Sequence, residues 1–394
     1  MLARLFLLLT AASLVFIAYT QQKDWNTEKL ERSLAAEKTG LADPYKGITA
    51  KGTIEPGLFP IRSTGVSTAP VRKAATAFLA SLNEEQRKKT KFAIDDIEWR
   101  KWMNQDFYVR QGMGFENMTD AQREAAFGLM KAGLSAKGLQ LSKDIMHLNE
   151  TLGELTGNLP RYGEWAYWMT IMGEPSADKP WGWQMDGHHL IINYFVLGDQ
   201  VVMTPFFIGS EPVIATSGKY KGLKILQDEQ AMGLAMLQAL DDGQRQKAIL
   251  DHNKTGNNNQ TEAFKDNAVI DYGGIKYSDF NAAQKQQFNK LIAQFIDNME
   301  AGHAKVKMED IRKHLDSTYF AWIGGTQTDS VYYYRIHSPV VMIEFDHQRP
   351  AGLAKFSKNP QMPDHEHIHI VVRTPNGNDY GKDLLRQHLL AHPH

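Results

Sequence analysis

The 394-residue chain contains no cysteine. Disulfides, thiolate nucleophiles and cysteine-ligated zinc are therefore excluded. Neither sign of charge is in excess: 44 Lys and Arg face 45 Asp and Glu, a formal net charge of −1. A basic footprint for nucleic acid and a polybasic membrane patch are both missing on that account. No apolar run reaches the ~20 residues that a membrane-spanning helix needs. Familiar catalytic signatures are also lacking. There is no G-x-S-x-G elbow and no P-loop, and Gly112-Met-Gly114 has neither the third glycine nor the preceding strand of a dinucleotide site.

What is present is the composition of a globular protein, 42% apolar and 23% charged. At ~150 residues per domain, this length predicts two or three units, or two similar halves. Residues 1–20 read as a signal peptide or N-terminal anchor, with Arg4 before the apolar stretch Leu5–Ala18. The expectation is an exported protein, periplasmic or extracellular, touching membrane only through an uncleaved first segment. Residues 21–68 show few regular signals and read as a leader arm.

Four helix starts share one form, an apolar residue and a capping residue followed three positions later by glutamine: Asn83 with Gln86, Thr119 with Gln122, Asp241 with Gln244, and Asn281 with Gln284. In such a box the cap accepts from an orphan amide and the glutamine reaches back to the cap's own N–H. The four belong to a wider collinear set. Gly112–Thr119 compares with Gly274–Asn281, and Trp168 with Trp322. Trp183–Phe195 compares with Tyr334–Asp346 at an offset of 151, and Val201–Pro205 with Val371–Pro375. Together they predict two degenerate copies of one unit, 70–212 and 228–381. Each copy reads as helices followed by β-branched and aromatic runs: Trp165–Met172, Gln184–Val196 and Gln200–Phe207, then Tyr319–Gly324, Val331–Phe345 and His367–Thr374. The predicted class is α+β, two pseudo-repeated halves each ending in an antiparallel hairpin sheet, with a C-terminal helix and tail over 382–394.

Chemistry is signalled by histidine. Eight of the fourteen lie between His337 and His394. His365, His367 and His369 alternate in a β-rich run, so as a strand they share a face with Val371 and Arg373. The same letters spell H-E-x-x-H, but that signature works only on a helix. His188-His189 opens the middle strand of the first copy. There His189 shares a face with Asn193, and His188 with Gln184 and Asp186; Glu344 replaces Asn193 in the second copy. Neutral imidazoles with one carboxylate suit Zn, Mn or non-haem Fe. The candidate ligands are His189, His367 and His369. Glu344 is the fourth ligand or base, Asp186 or Asp346 an outer partner, and Arg373 an anion clamp. Trp181 and Trp183, with His188 and Asn193, are read as the ligand-pocket wall. The competing reading is strand histidines satisfied by backbone or carboxylate groups.

The segments Pro180–Asn193, Gly198–Pro205 and His367–Gly381 resemble a family called domain of unknown function 3500. The resemblance implies exported bacterial relatives and brings no settled activity. It places Asp186, His188, His189, His367, His369, Arg373, Asn376 and Asn378 inside the family's motifs. The expected function is a metal-dependent hydrolase or oxygenase acting on a small molecule. The alternative is a non-enzymatic ligand-binding protein using the same cleft. A structural envelope module and a helical zincin protease are further readings. Oligomeric state is not readable.

Overall fold

The computed structural model describes residues 26–392, so the segment 1–20, read as a signal peptide or anchor, lies outside the described residues, as does His394. Among the described residues no helix is long and apolar enough to cross a membrane. The helices are α1 (26–40), α2 (Ala69–Ser81), α3 (Glu84–Thr90), α4 (Asp120–Gly133), α5 (Ala136–Thr156), α6 (Leu159–Tyr162), α7 (Gln227–Gln238), α8 (Asp242–Ala248), α9 (Ala282–Ile296), α10 (Ala301–Arg312) and α11 (Lys382–Ala391). All four expected capping boxes form, at the starts of α3, α4, α8 and α9. The glutamines then do a second job. Gln122 Nε2 donates to Gln86 Oε1 at 2.8 Å, and Gln284 Nε2 to Gln244 Oε1 at 2.6 Å. Each box therefore fastens one helix start to another, beyond the ~1 kcal/mol of a cap.

The strands are β1 (Lys91–Phe92), β2 (Met113–Gly114), β3 (Tyr167–Met172), β4 (Trp181–Gly187), β5 (Leu190–Leu197), β6 (Gln200–Val202), β7 (Phe206–Ser210), β8 (Ile249–Asp251), β9 (Ile275–Lys276), β10 (Tyr319–Gly324), β11 (Tyr332–His337), β12 (Met342–His347) and β13 (Ile368–Arg373). They form one thirteen-stranded mixed sheet, ordered β1-β3-β4-β5-β7-β13-β12-β11-β10-β8, so the class is α+β. Among the described strands only the outermost pairs, β1 with β3 and β8 with β10, are parallel. On one flank Trp183 pairs with Ile171 and with Tyr194. On the other Tyr334 pairs with Trp322 and with Phe345, each number 151 higher. The flanks meet at an antiparallel seam, β7 against β13, with Ile208 opposite Ile370.

Two details depart from the sequence reading. First, three runs are not single strands. Gln184–Val196 breaks into β4 and β5 around a two-residue turn, His188-His189, because Gly187 pairs with Leu190 and closes a hairpin. Gln200–Phe207 divides into β6 and β7, and Val331–Phe345 into β11 and β12. Second, α1 is regular structure where a leader arm was expected. Its docked face carries Ser33, Ala36 and Gly40, while Leu30 and Leu34 point outward, so it has no apolar stripe to announce it.

Strand alternation gives the sheet two unlike faces. Trp181, Trp183, Tyr194, Ile208, Tyr334, Phe345 and Ile370 face the helices and form the main apolar core with Leu129, Leu148, Leu237 and Phe288. The other face is covered by loops and α11. It carries a smaller apolar cluster, with Trp102, Phe207 and Val371, and nearly all of the buried charge.

Candidate metal centre

His369 lies on β13 and His367 just before it, both on the loop-covered face. His369 pairs across the seam with Gly209. A side chain at 209 would bring a Cβ to 3.1 Å from His189 Cδ2 and 3.2 Å from His369 Cδ2, so glycine leaves the room both rings occupy. The third imidazole arrives from the β4–β5 turn. His189 has φ +62, in the left-handed region that non-glycine residues rarely adopt. Two backbone bonds hold it there: its N–H donates to Asn104 O at 3.1 Å, and its carbonyl accepts from Gly209 N at 2.9 Å.

The three Nε2 atoms form a nearly equilateral triangle. His189 lies 3.2 Å from His367 and 3.1 Å from His369, and His367 lies 3.0 Å from His369. With metal–nitrogen bonds of 2.0–2.1 Å, two ligands on one ion stand about 3.0 Å apart in an octahedron and about 3.3 Å apart in a tetrahedron. The buried cluster thus has the dimensions to hold a metal ion.

Hydrogen bonds on the far side of two rings fix their tautomers. His367 Nδ1 donates to the Arg349 carbonyl at 2.7 Å. His369 Nδ1 donates to Glu262 Oε1 at 2.6 Å. Both neutral rings then turn an Nε2 lone pair inward, and those lone pairs face each other at 3.0 Å. This is the outer-partner arrangement of histidine ligands. Burial, only partly opposed by Glu211, lowers His367 to about 4. Burial and then the neighbouring imidazoles push His189 well down. Burial alone would raise Glu262; its contacts with His369, Asn259 and Asn104 together hold the carboxylate below its usual range.

The triangle lies at the floor of a cavity of about 600 Å³. Its wall carries the cations Arg32, Arg161, Arg349 and Lys355 and the carboxylates Asp106 and Glu262. Arg161 pairs with Asp106.

A family described as protein of unknown function (DUF3500) matches residues 64–382, most of the chain. The chain belongs to that family. No curated protein and no solved structure matches it. The DUF3500 match includes all three imidazoles as well as Glu262 and Arg349.

The remaining expected site residues go elsewhere, each for a stated reason. Trp181 and Trp183 are fully buried on the helix face, Trp183 stacked on Tyr194 at 5.2 Å. Alternation along β4 puts them in the core rather than on the pocket wall. Glu344 is not a ligand or base. It accepts from Gln260 N at 2.9 Å, Thr261 N at 3.0 Å and Tyr333 Oη at 2.7 Å, so its lone pairs are spent on a loop. Asp346 does the same for Asn258 N at 2.6 Å and Asn259 N at 3.2 Å. These two carboxylates pin 258–261, and the pinned loop delivers Glu262 to His369. Asp186 is ion-paired with Arg110 Nε at 2.9 Å, and burial lifts its carboxyl to about 6. It anchors the loop containing Asn104 rather than touching the triangle.

Arg373 is no anion clamp. Its guanidinium donates to Asp379 at 2.8 Å, to Asp266 at 2.7 Å and to Thr261 O at 2.7 Å, all fully inside the protein. Asn193 bonds Pro205 O at 2.9 Å and Gln184 at 2.8 Å. Asn376 bonds Pro339 O at 2.8 Å, and Asn378 accepts from Leu384 N at 3.3 Å. None of the three lines the histidine cavity. His188 does line it, stacked on His189 at 3.9 Å. Its Nδ1 bonds Asn149 Oδ1 at 2.8 Å, and burial lowers it to about 3. His365–His369 is turn and strand, which removes the zincin geometry, and His365 bonds Gln230 and Asp329 instead. The polar loop 251–267 carries Glu262, but nothing in the sequence ties that residue to a histidine a hundred residues away.

Proposed function

We propose that this protein is a metal-dependent enzyme, a hydrolase or oxygenase, whose ion is held by His189, His367 and His369. The observation that carries the reading is the inward pair of lone pairs at 3.0 Å, a contact that neutral rings make only with a cation or proton between them. Three neutral imidazoles leave coordination positions open toward the cavity, as a catalytic site requires. The ion would act as Lewis acid toward a bound group. Glu262 orients His369, and the Arg349 carbonyl orients His367. The basic wall favours a small polar substrate bearing negative charge.

We further infer that the two halves descend from one duplicated unit. The support is the offset of 151 that recurs through the pairings of β3, β4 and β5 and those of β10, β11 and β12. Export, with membrane contact limited to an uncleaved first segment, rests on Arg4 and the apolar stretch Leu5–Ala18.

The test is elemental analysis of purified protein, wild type against His189→Ala, His367→Ala and His369→Ala. About one equivalent of Zn, Mn or Fe in the wild type and at least a hundredfold weaker binding in each variant is expected. Equal metal content in variants and wild type overturns the assignment. A metal-loaded protein that binds small anions and converts none of a broad panel would favour the binding-protein alternative.

A further inference from the structure

The opposite end of the β7–β13 seam holds a second cavity, of about 340 Å³. The sheet pairings make it the counterpart of the histidine site. Asp346 pairs with His369 as Phe195 pairs with Val202, so the sheet register matches Val202 with His369 rather than with Val372 as the alignment of Val201–Pro205 with Val371–Pro375 expects. Gln348 N donates to His367 O, and Leu197 pairs with Gln200. His189, moved by the offset of the β4–β5 hairpin, falls on Val340. Gln200, Val202 and Val340 all line this second cavity, so its three equivalent positions carry no imidazole.

Its own chemistry is different. Phe59, Phe206, Phe295, Met299, Val372 and Leu384 give it an apolar body. Lys307 from α10 enters with Nζ 2.9 Å from Val340 O and 3.2 Å from Thr374 Oγ1. An ammonium has three N–H donors and no acceptor, so one N–H remains after these two bonds. Thr204 Oγ1 and Thr374 Oγ1 stand 2.8 Å apart and share one hydrogen bond, which leaves one hydroxyl proton over. Two uncommitted donors therefore sit at one end of an apolar chamber. The nearby charges do not supply their acceptor: Asp310 is engaged by Arg62 and Lys313, which with His314 line the rim. Asp379 is taken by Arg373. Withdrawal from water, only partly offset by Asp310 and Asp379, lowers Lys307 to about 8, so the ammonium form prevails at neutral pH.

We propose that this second cavity binds a small amphipathic carboxylate, its head on Lys307 and the Thr204–Thr374 pair and its apolar body among the phenylalanines. The site is independent of the metal centre. The test is isothermal titration of the full chain with decanoate, and with decanol as the uncharged control, at pH 7. Saturable decanoate binding is expected in the wild type and in His367→Ala, weakened about tenfold in Lys307→Met and retained in Lys307→Arg. Decanol should bind wild type and Lys307→Met alike. Val340→Phe, which fills the chamber, should weaken both. Absence of saturable decanoate binding in the wild type, or equal decanoate affinity in Lys307→Met, overturns the proposal. Loss of binding in His367→Ala with native thermal stability overturns its independence.

Discussion

The two ends of the central seam are built on matching backbone pairings and carry opposite chemistry. At one end His189, His367 and His369 close on a point, backed by Glu262 and the Arg349 carbonyl. At the other, Gln200, Val202 and Val340 open an apolar chamber entered by the Lys307 ammonium. The difference teaches that the scaffold positions side chains without choosing their function. A backbone hairpin turn and a neighbouring strand bring three residues together at either end. Whether they hold an ion depends on residue type and on outer groups that fix tautomers, and those groups come from a loop with no regular structure.

Arg373 sits on β13 between the two ends, and removing it should damage both. Arg373→Met leaves Asp379 buried without its cation, while Asp266 keeps Arg100 at 2.8 Å. Loss of one partner from such a pair costs about 3–5 kcal/mol. Urea unfolding of the metal-free chain should show a loss of that size. Unchanged stability with weakened anion binding would return Arg373 to the role of a clamp.

Gly209→Ala should separate the ends. The new Cβ would lie 2.6 Å from the Ile368 carbonyl oxygen, against both the His189 and His369 rings. Metal affinity, measured by chelator competition, should fall about a hundredfold, toward the upper limit for disturbed ligand orientation. Decanoate affinity at the far end should stay within twofold. A parallel loss at both ends would mean that the ends are not independent.

Glu262→Gln is milder. The amide oxygen can still accept from His369 Nδ1, but the negative charge that makes the ring a better donor is gone. Metal affinity should drop about tenfold, the lower limit for an outer partner. No change would show that the Glu262 contact is incidental to the site.

Much of this architecture is legible in the sequence, and what is missed has physical causes. The caps are local signals, so Asn83, Thr119, Asp241 and Asn281 announce their helices unaided. The imidazoles at 367 and 369 follow from strand alternation alone. The same rule points to His189, although it stands in a turn with φ +62 and reaches the cluster by a different geometry. Trp181 and Trp183 show the limit of alternation: it says that two residues share a face, not which face meets water. Glu344 faces the correct side of the sheet, yet the loop 258–261 lies on it and takes its oxygens. Glu262 itself depends on a contact across 107 residues, which no periodicity encodes. Helix α1 docks through Ser33, Ala36 and Gly40, a face too polar and too small to register as amphipathic.

The smallest effect sharpens the comparison through pH. Lys307 titrates near 8 when folded, against about 10.4 in an unfolded chain. A bound carboxylate favours the ammonium and lifts that value in the complex. Decanoate affinity should therefore be full near pH 7, where the ligand is ionised, begin to fall as pH rises through about 8, and level off above the pKa of the complex. Decanol affinity should stay flat. Between about pH 8 and 10.4 the unfolded chain binds more protons at this position than the folded one, so Lys307 makes stability rise with pH across that window. Lys307→Met removes that contribution. Unfolding free energies at pH 7.5 and 9.5 should diverge less in the variant than in the wild type, and equal pH slopes would show that the ammonium is not withdrawn from water as its surroundings indicate.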